Sequence, residues 1–353
     1  MKTVGNALTM SRRGLLKSAG ASMGLGFLSC AGVTGSRARA VGSGHKRAIP
    51  QTGEHVPAVG LGTFMTFDTL PGARRAQLQD VLQHFFAAGG RVIDTSPLYG
   101  SAEVSVGDLL CALGEVPAPF IANKLWSTGE YLWDESHAAR SLQQSRLRLW
   151  RDQIDLLQCH SLVNVDVVIP LLNAWKREGR IRYVGVTHHE PPYFGPLADR
   201  IQTGEVDCVQ VHYSIQMIAA EERVLPAAAD HGVAVFVNMP LEKARLHKLV
   251  QGRSLPDFAR ELGIESWSEY FLKWVLAHPA VTAVLPSTSN PEHMVENMAA
   301  LQGPLPDAEL RKRMRTHLQS LPGFDTLQSM PWYPDKSYSG LIAQSQRAIR
   351  SRL

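Results

Sequence analysis

The chain predicts an α/β protein of the (β/α)8 TIM-barrel class, completed by a C-terminal helix and tail. Three observations predict it. Eight short apolar, β-branched runs alternate with amphipathic stretches whose apolar residues recur at three and four spacing. The alternation fills roughly 250 residues, the length of eight such units, and it implies parallel strands joined by right-handed helical crossovers. No Gly-x-Gly-x-x-Gly turn follows the first run: Gly60-Leu61-Gly62-Thr63 has two glycines but leads into no phosphate-binding helix, which sets aside a doubly wound open sheet.

Taken in order, residues 1–40 read as a twin-arginine export signal. Ser11-Arg12-Arg13-Gly14-Leu15-Leu16-Lys17 precedes a weakly apolar run, Ser18 to Gly32, and a small-x-small site at Ala38-Arg39-Ala40. Leu28-Ser29-Cys30 offers an alternative lipid-attachment site. The apolar run is too short and too rich in Gly and Ser to span a bilayer as a mature helix, so no stable membrane span is expected. Export by the twin-arginine machinery and a periplasmic location are the expectations.

Residues 41–49 read as a linker and 50–303 as the barrel. Its eight runs are Val56 to Thr63, Arg91 to Asp94, Phe120 to Lys124, Ile154 to His160, Ile181 to Thr187, Val206 to His212, Val233 to Asn238 and Val281 to Pro286. Helical patterns separate them, among them Ala73 to Ala88, Glu103 to Leu113, Glu135 to Trp150, Val167 to Glu178, Glu221 to His231, Ser266 to His278 and Pro291 to Leu301. Residues 304–353 hold a helix from Asp307 to Leu321 and a tail with Trp332 and Tyr333, placed to cover one face of the barrel.

Charge excludes one class of function. The formal net charge is +4, but Lys2, Arg12, Arg13, Lys17, Arg37 and Arg39 all lie in the first forty residues, where no acid occurs. The remaining body is near neutral and offers no basic field for nucleic acid. Cys111, Cys159 and Cys208 are too widely spaced for a disulfide framework or a zinc site, and read as buried free thiols.

Functional side chains of a parallel barrel gather where the strands end. Asp94 ends the second run, with Tyr99 in the loop beyond it; Lys124 ends the third and His160 the fourth. The two-residue period puts Val92 with Asp94, Ala122 with Lys124, and Gln158 with His160 on shared strand faces, all able to point to the barrel mouth. The set suits carbonyl reduction. Tyr99 would protonate the substrate oxygen, a buried Lys124 cation would lower its pKa, Asp94 would hold Lys124 charged and in place, and His160 would orient the oxygen.

These residues, in Asp94-Thr95-Ser96-Pro97-Leu98-Tyr99-Gly100, Asn123-Lys124 and Cys159-His160, resemble the catalytic tetrad of the aldo/keto reductase superfamily. The resemblance runs from about residue 50 to about 303 and includes Gly60 to Thr63 and Ile181 to Thr187. It implies a nicotinamide cofactor lying extended across the barrel mouth. Gly62, Thr63 and Asp94 would lie near the nicotinamide, Thr187, His188 and Gln210 would hold its carboxamide, and Asn238 would take the position of a stacking ring. Ser287, Thr288, Ser289, His293, Glu296 and Asn297 resemble the segment that holds the adenosine half; a simple capped helix accounts for the same Ser/Thr/Asn cluster. The substrate pocket would be walled by Phe64, Trp126 and either Trp133 or Trp332.

The chain departs from the family pattern at three places. Thr187-His188 replaces Ser-Asn, Asn238 replaces an aromatic ring, and Leu241 to Leu246 replaces a glycine-rich loop, bringing Lys243 and Arg245 as phosphate contacts. Ser287 and His293 stand where NADP-preferring members often have lysine and arginine, so NADP(H) is favoured only slightly over NAD(H). An aldehyde, ketone or alcohol substrate is expected. Two other readings are a non-catalytic cofactor-sensing barrel and a lyase forming a Schiff base on Lys124, the latter opposed by the neighbouring acid.

Overall fold

The computed structural model describes residues 44–70, 74–114, 119–127 and 135–351. The export signal, Cys30 and Trp133 lie outside the described residues. The chain opens with an antiparallel hairpin, β1 (Lys46–Ile49) and β2 (Glu54–Pro57), turning at Gly53. Residues 46–49, expected as linker, are therefore a strand. Eight parallel strands follow: β3 (Leu61–Gly62), β4 (Val92–Asp94), β5 (Phe120–Leu125), β6 (Ile154–His160), β7 (Ile181–His188), β8 (Cys208–His212), β9 (Ala234–Asn238) and β10 (Val281–Val284). They pair in sequence order, and the bridges Val59 to Val284 and Gly62 to Ser287 join the last strand to the first.

The opening run, expected as one strand over 56–63, is two. Val56 and Pro57 pair with β1 in the hairpin, whereas Leu61 and Gly62 pair with β4 in the barrel. One apolar stretch thus serves two ladders, a division that hydrophobicity alone does not mark.

The pleat sorts the strands into two cores. Val92, Phe120, Ala122, Leu156, Tyr183, Cys208, Ala234, Phe236, Ala283 and Leu285 fill the barrel interior, and Ile49 and Val56 of the hairpin plug its lower end. The alternate residues, among them Ile93, Ile121, Leu157, Val184, Val209 and Val235, face outward against the helices. Those helices are α1 (Arg74–Ala87), α2 (Ala102–Leu113), α3 (Ser136–Leu149), α4 (Val165–Arg177), α5 (Phe194–Gln202), α6 (Val224–Asp230), α7 (Arg245–Leu249), α8 (Asp257–Glu261), α9 (Trp267–Leu276), α10 (Pro291–Ala299), α11 (Ala308–Gln319) and α12 (Leu341–Arg350).

Local chemistry sets several starts. Ser266, Asn290 and Asp307 cap α9, α10 and α11 by accepting from the N–H groups of Glu269, Glu292 and Leu310. Cys159 and Cys208 are buried free thiols as expected, but Cys111, in the last turn of α2, is exposed. Among the described residues, no helix is long and apolar enough to cross a membrane.

Candidate active site

Because Val92, Ala122 and Leu156 point inward, the two-residue period brings Asp94, Lys124, Gln158 and His160 to the upper, inner end of the barrel. Asp94 is the hub. Its Oδ1 accepts from Lys124 Nζ at 2.6 Å and from Gln210 Nε2 at 2.7 Å, while its carbonyl accepts from Thr63 Oγ1 at 2.8 Å. Lys124 Nζ also donates to the Thr95 carbonyl at 2.9 Å, and Thr187 Oγ1 donates to Gln210 Oε1 at 3.2 Å. Asp94 and Lys124 are almost wholly removed from solvent, so breaking the pair would strand a buried charge.

Tyr99 stands on the same wall, with the Lys124 ammonium 4.8 Å from its ring centroid, Phe64 edge-on at 5.0 Å and the His160 ring at 6.2 Å. Its loop is fastened below by Asp68, a residue the sequence did not single out. Asp68 Oδ1 accepts from Ser101 N at 3.0 Å and Ser101 Oγ at 3.2 Å, and its Oδ2 accepts from Ile342 N at 2.7 Å, at the start of α12. Gly100 has φ +62, and a Cβ there would lie 2.2 Å from Asp68 Oδ1, so the turn after Tyr99 requires glycine.

The expected lowering of the Tyr99 pKa is corrected. Burial, then the Asp94 carboxylate and Tyr333, holds the phenol well above its ordinary range. The physical reason is that Lys124 arrives already paired: a cation 2.6 Å from its own carboxylate presents a dipole rather than a net charge to the ring. Burial also pulls Lys124 below the usual lysine range, with Asp94 opposing it. Burial and the neighbouring Lys124 push His160 down to about 3, so at neutral pH it is an uncharged imidazole; its Nδ1 lies 3.4 Å from Ser96 Oγ. Tyr99 and His160 are accordingly both neutral hydrogen-bonding groups.

A cavity of about 510 Å³ opens over this cluster. Its wall takes in Asp94, Tyr99, Lys124, His160, Gly62, Thr63, Phe64, Thr187, His188, Gln210, Asn238, Ser287, Thr288, His293, Glu296 and Asn297, bringing together nearly every residue singled out in the sequence. Three of the expected contacts stand elsewhere in the structure. Ser289 is not on the wall, since Thr288 beside it is the residue that turns inward. Trp126 is 37% exposed and also off the wall, because it lies past Leu125, where the ladder that would aim it has ended. Arg245 is no phosphate contact: it is buried, donating to Glu242 Oε2 at 2.7 Å and to the Gln328 carbonyl at 3.0 Å.

The wall also holds groups that strand-end reasoning missed: His189, Met239, His247, Ser268, Lys336 and Tyr338. Only their assembly by loops and the tail reveals them. His247, Ser268 and Glu296 form a relay, with His247 Nε2 3.0 Å from Ser268 Oγ, which donates to Glu296 Oε2 at 2.9 Å. His188 stacks on Tyr193 at 3.8 Å, and its Nδ1 accepts from Glu190 N at 3.1 Å, which puts the proton of its neutral ring on Nε2.

Two wall acceptors test whether a nicotinamide dinucleotide suits the cleft. Asn238 Oδ1 and Asn297 Oδ1 are buried without a protein donor, a condition that costs about 1–3 kcal/mol unless a ligand N–H satisfies it. One lies near the tetrad's strands and the other on α10. They fit a ligand with an amide at one end and an amino-bearing base at the other.

A parallel barrel with an acid, a lysine, a tyrosine and a neutral histidine on one wall of a deep cleft defines a barrel oxidoreductase. Residues 58–315 match the model of the Aldo/keto reductase family, and the chain belongs to that family and is an NAD(P)H-dependent enzyme. It is 27% identical over 281 residues to the NADH-specific methylglyoxal reductase of Escherichia coli (strain K12), covering 65% of this chain and 84% of that one. Over 283 residues it is 26% identical to the L-galactose dehydrogenase of Arabidopsis thaliana, covering 72% and 87%. Among solved structures, an aldo/keto reductase from Klebsiella pneumoniae in complex with NADP and acetate shares 25% identity, with a TM-score of 0.63 and coverage of 83% and 98%.

Proposed function

We propose that the protein reduces an aldehyde or ketone to an alcohol, or runs the reverse oxidation, with Tyr99 as the proton donor. The observation that carries this reading is the joint placement of Asp94, Lys124, Tyr99 and His160 on one cavity wall. A nicotinamide cofactor bound in the cleft supplies the hydride. Thr63, Gln210, Thr187, His188 and Asn238 would hold its reactive end, and Ser287, Thr288, His293, Glu296 and Asn297 its adenosine end. His160 Nε2 and the Tyr99 hydroxyl receive the carbonyl oxygen between them. Tyr99 then gives its proton to the oxygen as negative charge develops there, and the Lys124 cation stabilises the phenolate that remains. Asp94 keeps Lys124 aimed at the ring. Tyr99→Phe is expected to fold normally and bind NADPH, yet lose about 10²–10⁴-fold in kcat for carbonyl-dependent NADPH oxidation; unchanged turnover would refute the mechanism.

The reading favours NADP(H). Burial, then Lys336 and His293, pushes the pKa of His247 down to about 4, so this ring is neutral, and the Lys336 ammonium beside it is a cation on that part of the wall. It supplies a positive charge that Ser287 does not.

The protein is also proposed to be exported by the twin-arginine route, on the strength of Arg12-Arg13, the weakly apolar run behind them and Ala38-Arg39-Ala40. Residues 1–43 fused to a reporter that works only outside the cytoplasm would give signal, and Arg12→Lys with Arg13→Lys would abolish it. A reporter insensitive to both substitutions counts against this route.

A further inference from the structure

We infer that the carbonyl substrate of this enzyme bears an anionic group, a carboxylate or phosphate set some bonds away from the carbonyl, and that Lys243 binds it. The inference rests on the reductase reading above and names its substrate class.

Lys243 follows β9 in a turn that is costly to make. Glu242, Lys243 and Ala244 have φ of 52°, 51° and 69°, three consecutive non-glycine residues in the left-handed region. Such strain persists only where the surroundings impose it. Here Glu242 is wholly buried and its carboxylate accepts from Arg245, Ser214 and Gln328 and pairs with His212, while Tyr333 N donates to the Lys243 carbonyl at 3.0 Å. The turn is gripped from the barrel side and from the tail, and what it delivers to the cavity is the Lys243 side chain.

The ammonium so delivered sits 2.8 Å from the Trp332 ring centroid and 5.7 Å from that of Phe64. Phe64 is the ring packed edge-on against Tyr99, so Lys243 lies across one aromatic side chain from the proposed proton donor. Among the described residues it has no carboxylate partner: Glu242, next in sequence, is committed to Arg245 and His212. Burial, then Arg245, pushes the pKa of Lys243 down to about 7, with the Glu242 carboxylate opposing them without forming an ion pair. His189, beside Trp332 at 6.4 Å, adds a neutral hydrogen-bonding ring on the same side. A carboxylate or phosphate brought by the substrate meets that need, and the aromatic rings cover the carbon skeleton between it and the carbonyl.

Lys243 touches the aromatic residues on the Tyr99 side, and that contact is the ground for a substrate role rather than a cofactor phosphate contact. The experiment compares kcat/KM for 4-carboxybenzaldehyde with 4-carbamoylbenzaldehyde, and for glyceraldehyde 3-phosphate with glyceraldehyde, in wild type, Lys243→Met and Lys243→Arg. Wild type is expected to prefer at least one charged member about tenfold, through KM; Lys243→Met should erase that preference and Lys243→Arg restore it. Which pair shows the preference tells carboxylate from phosphate. Calorimetric binding of 4-(hydroxymethyl)benzoate and of glycerol 3-phosphate to the NADP-loaded protein reads the same contact without turnover, and the Kd of at least one should weaken about tenfold in Lys243→Met. Equal binding of both anions by wild type and Lys243→Met, or a loss that falls on NADPH affinity instead, overturns the inference. Anion binding that depends on Lys243, in a protein that turns over no carbonyl, overturns the reductase reading alone.

Discussion

Asp94 serves three donors at once, Lys124 and Gln210 on its carboxylate and Thr63 on its carbonyl, so its position is over-determined by β5, β8 and the loop after β3. Its Oδ1 is engaged by two donors, one of them the Lys124 ammonium, and its work is to fix that cation beside Tyr99. The same logic applies one level down, at Asp68. A side chain only 2% exposed takes three hydrogen bonds that tie the residue after Gly100 to the first turn of α12. Asp68→Ala should cost about 2–3 kcal/mol of stability, since charge-assisted hydrogen bonds to two part-buried backbone N–H groups are lost together. Because Tyr99 is two residues from Ser101, the variant should also lower kcat more than it changes NADPH affinity. Urea unfolding alongside initial rates checks both, and a stability within 0.5 kcal/mol of wild type would show that Asp68 is no clasp.

At the scale of elements, the strands of the site were legible because each is a single run whose period of two ends on a polar residue; Arg91 to Asp94, Phe120 to Lys124 and Ile154 to His160 became β4, β5 and β6 within a residue or two. The opening run was not legible as two strands, since Val56 and Leu61 are equally apolar and only pairing partners tell them apart. Helices α7 and α8 have five residues each, little more than one turn, too short to show a 3.6-residue period. Helix α12 lies in the stretch expected as tail; Leu341, Ile342, Ala348 and Ile349 recur at helical spacing there, though the helix buries only Ala343. Nothing in the sequence marks His247 or Lys336 as ligand-side groups, or turns Lys243 from a phosphate contact toward the substrate, for a related reason. They reach the cavity through a left-handed turn, a short helix and the tail, and no periodicity governs where such segments aim a side chain. Arg245 misled because charge in a loop reads as exposed, whereas here it neutralises the buried Glu242.

Across the whole molecule, the cleft is built to keep His160, His189 and His247 uncharged, and this has a consequence for stability. Burial is the leading cause in each case: it takes His160 to about 3 and His189 and His247 to about 4. In the unfolded chain the same side chains titrate near 6.5. Between about pH 4 and 6.5 the unfolded state therefore binds more protons than the folded one, and stability rises with pH through that window and is lost as pH falls below 6.5. Depressed carboxylates act in a lower range: Glu242 is held below its usual 4.5, so its contribution is surrendered only in more acid solution. The interval from pH 7 to pH 5 is thus dominated by the histidines. His160 and His247 should each remove about 2 kcal/mol over it, and His189 less, because its side chain is 38% exposed and partly solvated when charged. Urea unfolding at the two pH values, on wild type and on His160→Gln, measures the effect. The wild-type free energy should drop by roughly 4 kcal/mol or more, and His160→Gln should cut the drop by about 2 kcal/mol whatever its stability at pH 7. An equal drop in the two proteins would mean that His160 is charged in the folded state, and a neutral imidazole could no longer be assigned beside the Lys124 cation.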